Sequence, residues 1–154
     1  YLIILGTGEK KIQDMLIQAV RKYPQKLGLK IAFDDRLARL IYAGSDFFLI
    51  PSRYEPCGLT QMYSLRYGTI PIVRSTGGLK DSVQEFNPQR LEGNGFLFEE
   101  YETLSLLAAL DRALGFYQQK PFWAKLKDNA FRCDFSWEKS ALNYYELYLK
   151  ILRF

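Results

Sequence analysis

One stretch of the chain, residues 46–83, constrains the fold more than any other because strand and helix signals alternate along it without a long gap. The unbroken apolar run within Asp46–Ser52 is typical of a strand that is buried on both faces, as in parallel sheets. A helix is predicted over Gly58–Tyr67, and a second strand over Ile70–Ser75. The Thr-Gly-Gly turn at 76–78 then leads into another helix. The stretch therefore predicts two consecutive strand–turn–helix units.

The remainder of the chain continues this alternation. Further strands are predicted over residues 1–5, 29–33 and 95–98, with helices at about 9–22, 34–43, 103–117, 121–131 and from Ser136 onward. Such alternation predicts a parallel sheet with helices on both faces. A length of 154 residues suits a single domain spanning 1–154. The expected fold class is α/β with a Rossmann-like layout.

Both strand-to-helix turns are expected to open on one edge of the sheet, where open α/β folds bind ligands. The unpaired N–H groups and partial positive charge of a helix N-terminus suit a phosphate. Gly58 allows a close approach, Leu59 and Thr60 offer amides, and Thr60 adds a hydroxyl. Glu55 stands just before that helix, where a phosphate would repel it, so we expect it to act on a sugar. The alternative is that Glu55 is an ordinary acidic residue near a helix N-terminus.

The composition excludes several kinds of catalytic site. The chain has no histidine, which removes Ser-His-Asp and Cys-His catalysis and histidine metal sites. Its two cysteines, Cys57 and Cys133, lack a metal-binding spacing. Lys11 stands where the dinucleotide fingerprint needs its third glycine after Gly6-Thr7-Gly8, which disfavours an NAD-dependent enzyme.

Charge and hydropathy narrow the expected partners. The net charge of +4 is mild and the basic residues are scattered, so no nucleic-acid partner is expected. No apolar run reaches the roughly 18 residues of a membrane span, and no signal peptide is visible. We therefore expect a cytoplasmic protein without a membrane partner.

The residues around the two turns also carry a family resemblance. Residues 52–83 read SRYEPCGLTQMYSLRYGTIPIVRSTGGLKDSV, which resembles the signature of bacterial glycogen synthases and plant starch synthases. LGTGE at 5–9 and DFSWEKSALNYYELY at 134–148 are similar to flanking parts of the same family. These enzymes are retaining glycosyltransferases of the GT-B architecture. The resemblance covers nearly the whole chain and implies a C-terminal, nucleotide-sugar-binding GT-B domain.

The resemblance implies transfer of glucose from ADP-glucose, or UDP-glucose, to the non-reducing end of an α-1,4-glucan with retention, and without a metal or other cofactor. Glu55 is then the catalytic residue, which holds sugar hydroxyls and lends negative charge near the oxocarbenium-like centre. The implied substrate-binding residues are Gly58, Leu59 and Thr60 at the distal phosphate, Cys57 at the glucose, Phe33 at the adenine, and Gly77 and Gly78 nearby. From sequence alone, Phe33 fits a core residue at a strand end equally well, and the glycine pair serves either ligand contact or tight packing.

One position departs from the wider GT-B pattern. Many retaining GT-B enzymes carry a second glutamate eight residues after the first, and here that position is Tyr63. The glycogen and starch synthase branch commonly lacks this second glutamate too. The assignment of Glu55 is therefore unaffected.

The chain is shorter than the family it resembles. The resemblance implies that the N-terminal GT-B domain and the first β-α unit of the C-terminal domain are missing, so we expect the isolated chain to be inactive. An apolar stripe on the last helix, formed by Leu142, Tyr145, Leu149 and Leu152, is interpreted either as core or as surface facing that domain. The alternative function is a non-catalytic module that binds a nucleotide sugar or a glucan.

Overall fold

The structure, a computed structural model, describes residues 1–152. It divides into two compact units, Tyr1–Ser45 (unit 1) and Asp46–Phe154 (unit 2). Strands and helices alternate up to the fifth strand, and three helices follow it. Every strand pair formed by residues 1–152 is parallel. The predicted α/β class, with parallel strands flanked by helices, is confirmed.

Unit 1 consists of two strands and two helices: β1 (Leu2–Leu5), α1 (Lys10–Lys22), β2 (Leu27–Lys30) and α2 (Asp35–Gly44). β1 and β2 pair in register, with Leu2 opposite Leu27. Asp34 caps α2 because its carboxylate accepts a hydrogen bond from the N–H of Leu37 at 2.9 Å. Within residues 1–45, Tyr42 alone is buried. Unit 1 by itself therefore contains very little core.

Unit 2 is built around a three-stranded sheet in the order β3-β4-β5. Its elements are β3 (Phe47–Ile50), α3 (Thr60–Arg66), β4 (Ile70–Arg74), α4 (Gly77–Ser82), β5 (Phe96–Phe98), α5 (Thr103–Gln118), α6 (Lys120–Phe131) and α7 (Trp137–Ile151). β4 is the middle strand, and its residues 70–73 are all buried.

The core of unit 2 lies on both faces of β4. On one face Ile70 and Ile72 belong to a cluster that includes Phe96, Ala109 and Leu126 from β5, α5 and α6. On the other face Val73 packs with a smaller cluster of Ile50, Leu79 and Val83. Burying each large aliphatic side chain contributes about 1.5–3 kcal/mol, so β4 anchors the unit. The helices α3 and α4, which precede and follow β4 in the sequence, are thereby held by a rigid strand.

The helices after β5 pack differently from the sequence expectation. α7 buries none of its residues, and Leu142 and Leu152 are 62% and 80% exposed. The core interpretation of its apolar stripe is therefore wrong for this structure. In α5 the large apolar residues Leu104 and Leu114 are exposed, whereas Ala109 and Ala113 are buried. The apolar residues of α5 surround much of the helix, so their spacing does not select the buried face. Among residues 1–152, no helix combines the length and apolar character needed to cross a bilayer.

β2 differs from its predicted range of 29–33, since it spans Leu27–Lys30. Its partner β1 ends at Leu5, and the parallel ladder closes with Leu5 opposite Lys30. Phe33 therefore lies in the loop beyond β2, and its predicted place at the carboxyl end of a strand is wrong.

The strands form two separate sheets where one was predicted. The sheet of unit 1 has the order β1-β2, and the sheet of unit 2 has the order β3-β4-β5. The absence of a first β-α unit stays a prediction.

Candidate functional site

Glu55 lies in the loop between β3 and α3. β3 ends at Ile50, because Pro51 has no N–H to continue the ladder. The Glu55 side chain is half-buried, and the hydroxyl of Ser52 donates a hydrogen bond to its Oε2 at 3.4 Å. The carboxylate is therefore held within its own loop while part of it remains open to solvent.

Gly58, Leu59 and Thr60 form the entry to α3. Gly58 has φ +70°, a left-handed conformation that favours glycine. Leu59 is the N-cap residue and makes no side-chain capping bond, and the helix begins at Thr60. No side-chain cap thus competes for the first N–H groups of α3. The structure places these three residues at a helix N-terminus, as predicted; their contact with a phosphate stays a prediction.

The first turn of α4, which contains Gly77 and Gly78, contacts the loop of Glu55 through main-chain atoms. The N–H of Gly78 donates a hydrogen bond to the carbonyl oxygen of Glu55 at 3.1 Å. A Cβ atom at Gly77 would overlap that same oxygen, and one at Gly78 would overlap the carbonyl oxygen of Cys57. Gly77 also has φ +46°. The glycine pair is therefore needed for tight packing, and its contact with a ligand stays a prediction.

Arg74, at the end of β4, also binds the loop that contains Glu55. Its Nη1 donates to the carbonyl oxygen of Arg53 at 2.7 Å, and its Nε donates to that of Glu99 at 3.1 Å. The ring of Tyr101 lies 5.2 Å from the Arg53 guanidinium and 5.7 Å from that of Arg74. Sequence reasoning missed Arg74, since no local pattern reveals which distant carbonyl groups it reaches.

Cys57 is exposed and its thiol is free. Within the part of the chain that the structure describes, no group of three or more Cys, Asp or Glu side chains is placed to hold a metal ion. The exposed thiol lies next to Gly58 in the candidate loop, where it is accessible to a ligand.

Phe33 belongs to unit 1, and its side chain is 94% exposed. It follows β2 and directly precedes Asp34, the residue that caps α2. The interpretation of Phe33 as a core residue is therefore wrong for this structure. The ring is free to stack on a planar group, which stays a prediction.

A surface cavity of about 570 Å³ in unit 2 is lined by none of the predicted site residues. It lies between the 84–94 loop and α6, where Lys125 and Arg132 both pair with Asp128, at 3.3 and 3.0 Å. A hydrogen bond from the Arg132 guanidinium, helped by one from the Lys125 ammonium, holds the pKa of Asp128 below its ordinary value, although burial acts to raise it. Two of the cations that line this cavity, Lys125 and Arg132, are thus partly neutralised by Asp128.

The comparisons with known proteins identify the family. The model of the family "Glycosyl transferases group 1" matches residues 1–130. The chain is 52% identical over 150 residues to a glycogen synthase of Kosmotoga olearia, which covers 97% of the chain and 32% of that protein. It is 56% identical over 146 residues to a glycogen synthase of Fervidobacterium nodosum, covering 95% of the chain and 30% of that protein.

A solved structure agrees with this. The catalytic domain of starch synthase IV from Arabidopsis thaliana, bound to ADP and acarbose, superposes with a TM-score of 0.82 at 35% identity. The match covers 97% of this chain and 31% of that one. The chain thus spans about a third of the length of the relatives it matches. From the family match and the shared fold, this chain belongs to the group 1 glycosyl transferases.

Proposed function

We propose that residues 1–154 act as one nucleotide-sugar-binding domain of a longer two-domain glucosyltransferase. The enzyme transfers glucose from ADP-glucose to the non-reducing end of an α-1,4-glucan and retains the anomeric configuration. Identity of 52% and 56% to two glycogen synthases supports the acceptor class and the reaction. The ADP bound to the similar starch synthase supports adenine over uracil in the donor.

One observation carries the proposal. The loop of Glu55 and the turn of Gly78 are joined by a main-chain hydrogen bond of 3.1 Å, and the N-terminus of α3 begins a few residues further along the same loop. A carboxylate and a set of main-chain donors therefore project from one rigid assembly. A sugar diphosphate needs both: donors for its anion and an acceptor for the hydroxyl groups of its hexose.

The chemistry follows from where charge develops. As the glycosidic bond to the diphosphate breaks, negative charge grows on the distal phosphate. The N–H groups of Gly58, Leu59 and Thr60, aimed at that phosphate, stabilise the transition state more than the bound donor. The Thr60 hydroxyl adds one further donor.

Glu55 acts on the other side of the breaking bond. Its carboxylate accepts hydrogen bonds from the glucose hydroxyls and faces the ring as it gains oxocarbenium character. The Ser52 hydroxyl, 3.4 Å from Oε2, limits the rotation of this carboxylate. Cys57 lies against the glucose and Phe33 stacks on the adenine.

The remaining partners lie outside the chain. The glucan and an N-terminal GT-B domain complete the site in this proposal, and the exposed apolar face of α7 is the surface that the N-terminal domain contacts. The isolated chain is then expected to bind nucleotide weakly and to transfer no glucose.

A chimera tests the proposal. The aligned residues of the Kosmotoga olearia glycogen synthase are replaced by this chain, and incorporation of radiolabelled glucose into glycogen is measured with ADP-glucose and with UDP-glucose. We expect transfer from ADP-glucose by the chimera and none by the isolated chain, with α-1,4 linkages in the NMR spectrum of the product. A folded chimera that binds ADP without transfer would favour the non-catalytic binding module. New β linkages would contradict retention.

A further inference from the structure

Gln61, in the first turn of α3, is a fully buried polar side chain with 0% exposure. Its Nε2 donates hydrogen bonds to two groups, the carbonyl oxygen of Gly58 and the Oγ of Ser82, the latter at 2.9 Å. Its Oε1 is buried and has no hydrogen-bond partner among the described residues. The carboxamide is thus anchored through its amide nitrogen alone.

Packing alone does not explain a glutamine at this position. A methionine has similar length and would fill the same space without leaving a buried acceptor unpaired, which is unfavourable. The two bonds of Nε2 are therefore the contribution that an apolar side chain of the same size would lack.

These two bonds connect the two turns of the candidate site. Gly58 is the residue at which the loop of Glu55 enters α3, and its α-carbon is so close to Gln61 that a Cβ there would lie 2.6 Å from Oε1. Ser82 lies at the end of α4, and its Oγ donates in turn to the carbonyl oxygen of Gly78 at 2.7 Å. A continuous chain of hydrogen bonds thus runs from Gly58 through Gln61 and Ser82 to Gly78.

The same two turns are joined a second time by the bond between Gly78 N–H and Glu55 carbonyl oxygen. One connection therefore runs through main-chain atoms of half-buried residues, and the other runs through the buried side chains of Gln61 and Ser82. The loop from Glu55 to Gly58 is thus tied to Gly78 at both of its ends.

We propose that Gln61 is a positioning residue for glucosyl transfer. It fixes the distance between the loop of Glu55 and the turn of Gly78. The Glu55 carboxylate and the N–H groups of Leu59 and Thr60 thereby keep their relative orientation. This inference rests on the proposed function, because the orientation matters for catalysis only if both turns bind the same nucleotide-sugar molecule.

The test uses three substitutions, each made in the chain and in the Kosmotoga olearia chimera. Gln61→Met removes both bonds at nearly constant volume. Ser82→Ala is the milder variant: it removes the bonds of the Ser82 Oγ with Gln61 and Gly78 but leaves the bond from Gln61 to Gly58. Ser64→Ala is the matched control, since Ser64 is equally buried but its hydroxyl donates within α3, to the carbonyl oxygen of Gln61 at 2.8 Å.

Two quantities are measured for each variant. Amide hydrogen exchange of Gly78 is followed by NMR in the isolated chain, and kcat and donor KM are measured in the chimera per mole of folded protein. We expect Gly78 to exchange at least 10-fold faster in Gln61→Met and Ser82→Ala, and no more than 2-fold faster in Ser64→Ala. We expect kcat to fall at least 10-fold in Gln61→Met with a KM change below 3-fold, since loss of aim weakens transition-state contacts more than binding.

The outcomes separate this inference from the proposed function. Gly78 exchange unchanged in Gln61→Met, or kcat per folded molecule unchanged, would overturn the positioning role. An unsubstituted chimera without transfer would instead count against the proposed function, and Gly78 exchange would then still decide whether Gln61 couples the two turns.

Discussion

The N–H of Gly78 donates a hydrogen bond to the carbonyl oxygen of Glu55 at 3.1 Å. This bond joins the first turn of α4 to the loop before α3, two segments that are more than twenty residues apart in the sequence. It is possible because Gly77 and Gly78 carry no Cβ that would overlap the carbonyl oxygens of Glu55 and Cys57. The candidate catalytic carboxylate is thus positioned by the main chain of a neighbouring turn.

Gly78→Ala is expected to destabilise the chain, because its new Cβ would overlap the carbonyl oxygen of Cys57 and force the two turns apart. Overpacking of this kind costs about 1–3 kcal/mol. The free energy of unfolding in urea measures the effect. Gly115→Ala in α5 is the control. A Cβ at Gly115 would meet no neighbouring atom within 4 Å, and in a helix alanine is more stable than glycine by about 0.5–1 kcal/mol. Equal destabilisation by the two substitutions would contradict the close-approach argument.

We expect the isolated chain to self-associate through the exposed edge of β1, and Ile3→Lys to reduce this association. β1 pairs with β2 only, among residues 1–152, and Ile3 on it is 55% exposed. An exposed apolar edge strand offers unpaired main-chain groups to another chain, and a lysine there opposes such pairing. Sedimentation velocity over a range of concentrations measures the association.

The control for this edge is Ile12→Lys in α1, where the isoleucine is 51% exposed but the helix offers no free main-chain edge. It is expected to change the association less than Ile3→Lys does. A larger effect of Ile12→Lys would show that general apolar exposure, and not the edge of β1, causes the association.

Lys30→Met is expected to raise the pKa of Asp34 toward its ordinary value. A hydrogen bond from the Lys30 ammonium, 2.6 Å long, is the main cause that holds the pKa of Asp34 below 3.8, and the Leu37 N–H is the second. Folding lowers this pKa, so the ionised carboxylate stabilises the start of α2 at pH values above the pKa of Asp34 in the unfolded chain. This stabilisation is lost as the pH falls through the lowered pKa of the folded chain. An NMR titration of the carboxyl carbons measures the change.

Asp134 provides the control in the same titration. Its pKa is lowered mainly by the N–H of Ser136, which does not involve Lys30. The pKa of Asp134 is expected to stay constant in Lys30→Met. A parallel shift of both carboxyl groups would contradict the local origin of the effect at Asp34.

Much of the fold follows from local sequence signals. Pro51 predicts the end of β3, and the strand ends at Ile50. Gly68 predicts the end of α3, and it takes φ +72° just beyond the helix. Ser136 predicts the start of α7, and its hydroxyl accepts from the N–H of Lys139 at 3.3 Å. Each of these signals acts within a few residues and needs no tertiary partner.

The sequence predictions are wrong or incomplete where the structure depends on contacts between residues that are far apart in the sequence. The end of β2 is set by the length of β1, so the predicted strand range 29–33 wrongly included Phe33, which lies beyond the end of β2. The division into two sheets depends on which strands pair. The contacts of Gln61 and Arg74 reach across 21 to 25 residues, and no local pattern indicates them. The placement of Glu55 beside the glycine turn was predicted through the order of strands and helices, and its role in catalysis stays a proposal.

The most direct test of the central claim is Glu55→Gln in the chimeric glycogen synthase, with Glu100→Gln as the control because Glu100 is exposed and outside the candidate loop. If the Glu55 carboxylate stabilises the sugar in the transition state, kcat for transfer from ADP-glucose should fall by about 100-fold or more, as for other electrostatic catalytic groups. The Kd for ADP, measured by calorimetry, should change less than 2-fold, and Glu100→Gln should leave both quantities unchanged. A Glu55→Gln chimera that transfers glucose at the unsubstituted rate would contradict the claim.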